Sequence, residues 1–211
     1  MKKNNLYDLV LVIISVLYNC FVYSFGRMFP DRAILVGNAL DLKIPYVGFF
    51  IYFYISWYLF IVLIPYLISF YDKDRFHKYL TMIFISLTVS LIIYILFPTV
   101  MIRTNLDLLT NSFTDRVVKF IYGVGSVNAC APSLHVLLAS GYMLPLIGTK
   151  KIPVWLKILG LVSGTLIILS TVLVKQHVLI DLVVAISINV VSWIVVCKFK
   201  LDRFLRKIVK W

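Results

Sequence analysis

Long uncharged apolar runs, separated by short charged segments, constrain this chain more than any other feature. A membrane-spanning helix needs roughly 17 to 25 mostly apolar residues. The charged residues leave six runs that reach or approach this length, and we predict an all-α integral membrane protein with six transmembrane helices. The predicted spans are residues 9–26, 47–70, 79–102, 134–148, 158–174 and 178–197. The fourth is the shortest and begins with a polar residue.

Composition agrees with a bilayer as the solvent. Hydrophobic residues make up 62% of the chain and charged residues 14%, against about 25% charged in soluble domains. This excludes a soluble globule and a disordered chain, and three cysteines are too few for a disulfide framework. The net charge of +12 could indicate nucleic acid. In so apolar a chain we assign it to loops beside anionic lipid headgroups instead, with membrane lipids and no nucleic acid as partners.

The distribution of basic residues predicts orientation. With both termini cytoplasmic, fourteen of the 21 basic residues lie inside and seven outside, which satisfies the positive-inside rule. No small-residue cleavage site follows the first apolar run, so we expect it to stay as the first helix. The chain is then a single domain, residues 1–211, in the cell membrane as a multi-pass protein.

Two segments outside the spans are amphipathic. Residues 112–122, in the outward loop between helices 3 and 4, place apolar side chains on one helical face before Gly123: Phe113, Val117, Phe120 and Ile121. Residues 198–211 form a basic amphipathic tail whose apolar face holds Leu201, Phe204, Leu205 and Ile208. We interpret both as helices at the membrane surface.

Two of the three histidines indicate a site. His77 lies in a short cytoplasmic loop and is interpreted as a surface residue. His135 and His177 begin the fourth and sixth spans, so the topology brings both to the outward face. Asp181 follows His177 by four residues, a spacing that places both side chains on one helical face. Because ionisable groups are costly within spans, Asp181 is a functional candidate.

The residues around the histidines favour phosphate chemistry. Arg103 ends the third span and Lys175 lies just before His177, so two cations are expected at the same outward face as the histidines. Ser133 precedes His135 by two residues, after Pro132, and the first amides of a helix can bind an anion. Cations, amides and a hydroxyl can grip a phosphate while a histidine attacks its phosphorus.

Two other chemistries use overlapping residues. Zinc could be bound by His135, His177, Asp181 and Cys130, but Arg103 and Lys175 would repel a metal cation, so we predict neither a metal nor a cofactor. A Ser–His–Asp hydrolase with Ser133 as nucleophile is less favoured, because Ser133 and His135 point to different sides of a helix start.

Two motifs resemble those of a known family. Pro132-Ser133-Leu134-His135, followed by Lys175-Gln176-His177-x-x-x-Asp181, resembles the type 2 phosphatidic acid phosphatase superfamily. The similar branch contains inositol phosphorylceramide synthases and small bacterial membrane phosphatases. The resemblance implies a metal-independent enzyme with an extracytoplasmic site.

The resemblance also implies a role for each residue. His177 is the nucleophile, Asp181 orients and polarises it, and His135 is the general acid. Ser133 and Arg103 bind phosphate oxygens. The family's first motif carries a Lys and a Pro where this chain has Leu96 and Thr104, and its third motif an Arg where this chain has Thr171. Lys175 is then the residue that replaces the missing positive charge.

The function that follows is a membrane lipid phosphatase acting through a phosphohistidine. Its substrates are expected among phosphatidate, phosphatidylglycerophosphate and polyprenyl diphosphate. One alternative is a phosphotransferase that moves a phospho-headgroup between lipids, similar to inositol phosphorylceramide or sphingomyelin synthases. The other alternative is a non-catalytic membrane protein.

Overall fold

The fold is known from a computed structural model, which describes residues 3–103, 109–110 and 112–208. The described chain is mainly helical, with a small parallel pair of strands. In chain order its elements are α1 (Lys3–Gly26), β1 (Ile34–Leu35), α2 (Ala39–Lys43), α3 (Ile51–Tyr71), α4 (Lys73–Leu96), β2 (Thr99–Val100), α5 (Phe113–Val124), α6 (Leu134–Met143), α7 (Val154–Leu173), α8 (Leu179–Phe199) and α9 (Asp202–Ile208).

Five of these helices are long and apolar enough to cross a membrane: α1, α3, α4, α7 and α8. This is the architecture of a multi-pass membrane protein. Each span turns exposed apolar side chains outward, such as Leu17 in α1 and Leu59 in α3, at 62% and 59% exposure. A bilayer accepts such a surface, whereas water would not.

The predicted fourth span is shorter than a bilayer-crossing helix. Helix α6 ends at Met143, and a 3-10 turn over Leu144–Leu146 follows it. At 1.5 Å per residue, this segment measures about 20 Å, less than the roughly 30 Å hydrocarbon core. It is surrounded by α3, α4, α7 and α8, and nearly all of its side chains are buried. It is the central helix of the bundle, and the count of six full spans stays a prediction.

The third span lies earlier in the chain than predicted. Helix α4 begins at Lys73, because the Asp72 carboxylate accepts a hydrogen bond from the Arg75 amide at 3.2 Å and caps it. It ends at Leu96 ahead of Pro98, and the residues that follow form β2. The boundary at residue 102 was therefore wrong, since charge spacing alone does not locate helix caps.

A layer of short elements covers one end of the bundle. Strand β2 pairs with β1, and the Thr99 hydroxyl accepts hydrogen bonds from the amides of Cys130 and Ala131 at 3.1 and 2.9 Å. These contacts hold the loop before α6 against β2. They place the start of α6 beside the residues that follow α4.

The predicted amphipathic helix forms as α5 and extends through Gly123 to Val124. It is docked on the bundle: Val118 and Tyr122 are buried, and the Tyr122 hydroxyl donates to the Val174 carbonyl at 2.7 Å. Phe113 and Phe120 remain about two-thirds exposed on its outer face. One face of the helix therefore packs on the protein, and the opposite face presents apolar side chains that can contact lipid.

Asp115 anchors α5 to the rest of this layer. Its carboxylate accepts hydrogen bonds from the hydroxyls of Thr110 and Tyr46. The Thr110 hydrogen bond is the largest cause that lowers the pKa of Asp115 below its usual value.

At the opposite end, the basic tail forms α9 and packs against α4. Arg206 pairs with Asp202 at 2.7 Å and with Asp74 at 2.9 Å. Phe204 is 71% exposed, as expected for an apolar face at a membrane surface. Residues 209–211 of the predicted tail lie outside the described residues.

Small residues allow α6 and α7 to approach closely. Gly160 and Gly164 form a G-x-x-x-G pattern, which permits close helix packing in membranes. A Cβ at Gly160 would overlap Cδ1 of Leu146 and lie 3.4 Å from Cγ2 of Ile64, and both of those side chains are buried.

We expect Gly160→Leu to destabilise the bundle by about 1–3 kcal/mol, because a larger side chain overpacks this contact. Thermal unfolding in detergent measures the effect. The matched control is Gly123→Leu, whose Cβ has no atom within 4 Å. Equal unfolding temperatures for the two variants would contradict the close contact of α7 with α3 and with the 3-10 turn after α6.

Candidate active site

His177 and Asp181 form a hydrogen-bonded pair at the start of α8. The Nδ1 atom of His177 lies 3.0 Å from Oδ2 of Asp181, which also accepts the Val178 amide at 3.1 Å. Asp181 is fully buried in the first turn of α8, as predicted. Because the carboxylate accepts the proton on Nδ1, the lone pair of His177 is on Nε2.

The turn between α7 and α8 sets the position of His177. The Thr171 carbonyl accepts hydrogen bonds from the amides of Gln176 and His177 at 2.9 and 3.0 Å. Lys175 has a left-handed backbone with φ of +54°, which reverses the chain within this turn. His177 therefore lies just before α8, with its side chain directed toward α6.

His135 faces His177 from the start of α6. Its ring stacks on Tyr54 and tilts against Trp57, with both ring centroids 4.3 Å away, and the Trp57 indole donates to the His135 carbonyl at 3.1 Å. The ring centroids of His135 and His177 are 6.0 Å apart. The structure thus brings together two histidines 42 residues apart in the sequence, as the topology predicted.

A small cavity opens between the two histidines. Its volume is about 40 Å³, which corresponds to about three water positions. Helices α1 and α3 close it with Tyr23 and Tyr54. The polar or ionisable residues along the rest of its wall are Arg103, Ser126, Asn128, Cys130, His135, Gln176 and His177.

Arg103 supplies the positive charge of the cavity. One terminal nitrogen donates to the Tyr122 carbonyl at 2.8 Å, and the other donates to the Ser126 carbonyl at 2.7 Å and to Oε1 of Gln176 at 2.9 Å. Within the described ranges, no carboxylate lies within ion-pair distance of the guanidinium. Among the described residues, its hydrogen-bond partners are carbonyl oxygens and an amide oxygen, so neutral dipoles hold its charge beside the cavity.

Lys175 is not brought to the cavity. Its ammonium donates to the carbonyls of Asp41, at 2.8 Å, and Ile44, and Asp41 in turn accepts the Leu179 amide at 2.7 Å. Lys175 thereby ties α2 to the start of α8. Burial lowers the pKa of Lys175 below its usual value. The predicted phosphate contact of Lys175 has no geometric support.

Ser133 is also kept from the cavity wall. It is fully buried, its amide donates to the Asp181 carbonyl at 3.2 Å, and its hydroxyl oxygen accepts the Val136 amide at 3.3 Å as the cap of α6. It joins the start of α6 to the start of α8 and so fixes the positions of the two histidines relative to each other. Its predicted role as a phosphate ligand and the hydrolase alternative both lack a matching contact.

Several residues at the site were not predicted from the sequence. Tyr54 and Trp57, three residues apart on α3, enclose the His135 ring, and Gln176 lines the cavity beside His177. Aromatic residues in spans usually belong to interface belts or helix packing, so nothing distinguished these two. The sequence could have indicated a role for Gln176, since it is a neutral polar residue directly before the proposed nucleophile.

The zinc alternative also finds no suitable geometry. Among the residues that the structure describes, no three His, Cys, Asp or Glu side chains lie together at metal-binding distances. The Cys130 thiol donates to the Val127 carbonyl at 2.8 Å, and burial raises its pKa to about 12.

Comparison with known proteins yields no match: no protein-family model, no curated protein and no solved structure corresponds to this chain.

Proposed function

We propose that the chain is a lipid phosphatase of the type 2 phosphatidic acid phosphatase kind. The observation that carries the proposal is the His177–Asp181 pair facing His135 across a cavity that is also lined by Arg103. The order of the motifs resembles that superfamily. Together these features match the requirements of phosphoryl transfer to a histidine.

The reaction proceeds in two balanced steps. In the first, the Nε2 lone pair of His177 forms a bond to phosphorus while the bond between phosphorus and the leaving lipid oxygen breaks, and His135 donates a proton to that oxygen. In the second, His135 takes a proton from water, whose oxygen attacks phosphorus as the N–P bond breaks. Inorganic phosphate leaves, and both histidines return to their starting states.

The surroundings favour the transition state. Negative charge spreads over the equatorial phosphoryl oxygens, and a fixed cation in a site that contains little water stabilises it without reorganisation. Arg103 is held by several acceptors and needs no movement to act. Asp181 stabilises the positive charge that develops on His177 as the N–P bond forms.

The substrate class follows from the apolar bundle. The cavity lies at the covered end of a set of helices whose outer surface is apolar, and this setting favours a phosphate that is anchored in the bilayer by a lipid. Candidates are phosphatidate, phosphatidylglycerophosphate and polyprenyl diphosphate. The proposal includes six spans, cytoplasmic termini and an extracytoplasmic site in the cell membrane, as the basic residues indicate.

One observation favours the phosphotransferase as a second candidate. Of the described residues that line the cavity, Arg103 is the one Lys or Arg. A single fixed cation balances a phosphodiester, which has one negative charge, better than it balances a diphosphate. A phosphodiester lipid would then transfer its phospho-headgroup to His177 and release its own lipid alcohol, and a second lipid alcohol would take the phospho-headgroup in place of water.

Product analysis on purified protein in detergent separates these functions. The protein is given each of the three lipid phosphates and a phosphodiester lipid, with and without diacylglycerol or ceramide. Phosphate release without acceptor supports the phosphatase, whereas a new phospholipid that requires the acceptor supports the transferase. Neither product on any substrate would contradict both and leave the non-catalytic alternative.

A further inference from the structure

Gln176 is a buried polar residue, and only one of its two side-chain polar atoms forms a hydrogen bond within the described residues. It is 4% exposed and lies in the turn directly before His177. Its Oε1 atom accepts a hydrogen bond from Arg103 at 2.9 Å, while its Nε2 atom has no partner among the described residues. Because buried amide groups are normally satisfied, this free donor requires an explanation.

The orientation of the Gln176 amide follows from its neighbour. A guanidinium only donates hydrogen bonds, so the atom that faces Arg103 must be the oxygen. The two N–H groups of Nε2 are therefore left for another acceptor. Gln176 also lines the cavity between the histidines, where such an acceptor would bind.

The unsatisfied atoms around the cavity identify the kind of ligand. Three buried nitrogens of its lining residues have no partner in the described chain: Nε of Arg103, Nε2 of His135 and Nε2 of Gln176. The Arg103 and Gln176 atoms can only donate. A ligand made of acceptors matches this set, and phosphoryl oxygens without protons are acceptors.

We propose that Gln176 donates a hydrogen bond from Nε2 to a non-bridging oxygen of the substrate's phosphoryl group, with Arg103 holding the amide in place. The proposal rests on the proposed function, which supplies the phosphate, and adds a binding residue to it. It assigns to Gln176 the contact that sequence reasoning gave to Lys175 and Ser133, whose polar groups are bonded elsewhere. The position one residue before His177 keeps the bound phosphorus near the nucleophile.

The test measures phosphate binding apart from turnover. Equilibrium binding of inorganic phosphate to detergent-purified protein is followed by calorimetry for wild type, Gln176→Met and Gln176→Glu. Methionine keeps the length of the side chain but removes the donor, and glutamate keeps an oxygen for Arg103 while it replaces the donor with a charged acceptor. We expect both variants to bind phosphate at least about tenfold more weakly, since each loses a donor in a buried site.

Two readouts separate a binding role from a structural one. The unfolding temperature of Gln176→Glu should stay near that of wild type, because its oxygen can still accept from Arg103. On a lipid phosphate, kcat/KM should fall in both variants. Wild-type phosphate affinity in Gln176→Met or in Gln176→Glu would overturn the proposal.

Failure of this proposal is distinguishable from failure of the proposed function. If wild type releases phosphate from lipids and the Gln176 variants bind phosphate normally, the phosphatase proposal stands and the role of Gln176 is excluded. If wild type has no activity on lipids but binds inorganic phosphate through Gln176, the binding site stands and the phosphatase proposal is excluded. Absence of both binding and activity in the wild type overturns both.

Discussion

Replacing His177 with alanine is expected to lower the rate of lipid phosphate turnover by at least about a thousandfold. The variant lacks the Nε2 lone pair that forms the bond to phosphorus, and the neighbouring His135 ring, 6.0 Å away, points from a different helix. The remaining cavity can still bind phosphate through Arg103. The loss should therefore appear mainly in kcat, measured as phosphate release under saturating lipid substrate.

His77→Gln is the matched control for this variant. His77 was predicted to be a surface residue of a short loop, but it is a buried histidine in the first turns of α4, at the end of the bundle where α9 packs. Its replacement should leave kcat within a few-fold of wild type. A His177→Ala protein that folds and keeps more than a tenth of the wild-type kcat would exclude His177 as the nucleophile.

Asp181→Asn is expected to lower kcat by about a hundredfold or more. The amide oxygen can still accept from His177 and from the Val178 amide, so the start of α8 should fold normally. The negative charge is lost, however, and the positive charge that develops on His177 is no longer stabilised. The amide nitrogen would also occupy the place of Oδ1, which is buried without a partner in the described chain.

The control for this exchange is Asp115→Asn. Asp115 is also buried at the covered end of the bundle, but it bonds Tyr46 and Thr110 and lies outside the cavity wall. We expect it to change the stability of α5 more than kcat. Equal kcat values for Asp181→Asn and wild type would refute the role of the carboxylate in polarising His177.

The sequence was sufficient to predict the long helices and the core of the site. Apolar runs of bilayer length indicated α1, α3, α4, α7 and α8, because a bilayer requires length and low charge more than any particular packing. The His177–Asp181 contact followed from local helical spacing, and the approach of His135 followed from counting spans. These features depend on local periodicity or on topology.

The features that were missed depend on distant contacts. Lys175 was expected at the phosphate, but its ammonium binds two carbonyls of the α2 region, more than 130 residues away in sequence. Ser133 was expected to face substrate, but it caps α6 and bonds the backbone of α8. The short length of α6 likewise depends on its burial among four other helices. Spacing along one chain does not contain this information.

The central claim is a covalent phosphohistidine at His177, and trapping it is the most direct test. Wild-type protein is mixed with a lipid phosphate labelled with ³²P in the phosphoryl group, quenched in alkali within the first turnovers, and digested for mass spectrometry. We predict a label that is stable in alkali, lost in acid, mapped to His177 and absent from the His177→Ala variant. Lipid hydrolysis with no label on His177, or with equal label in the variant, would contradict it.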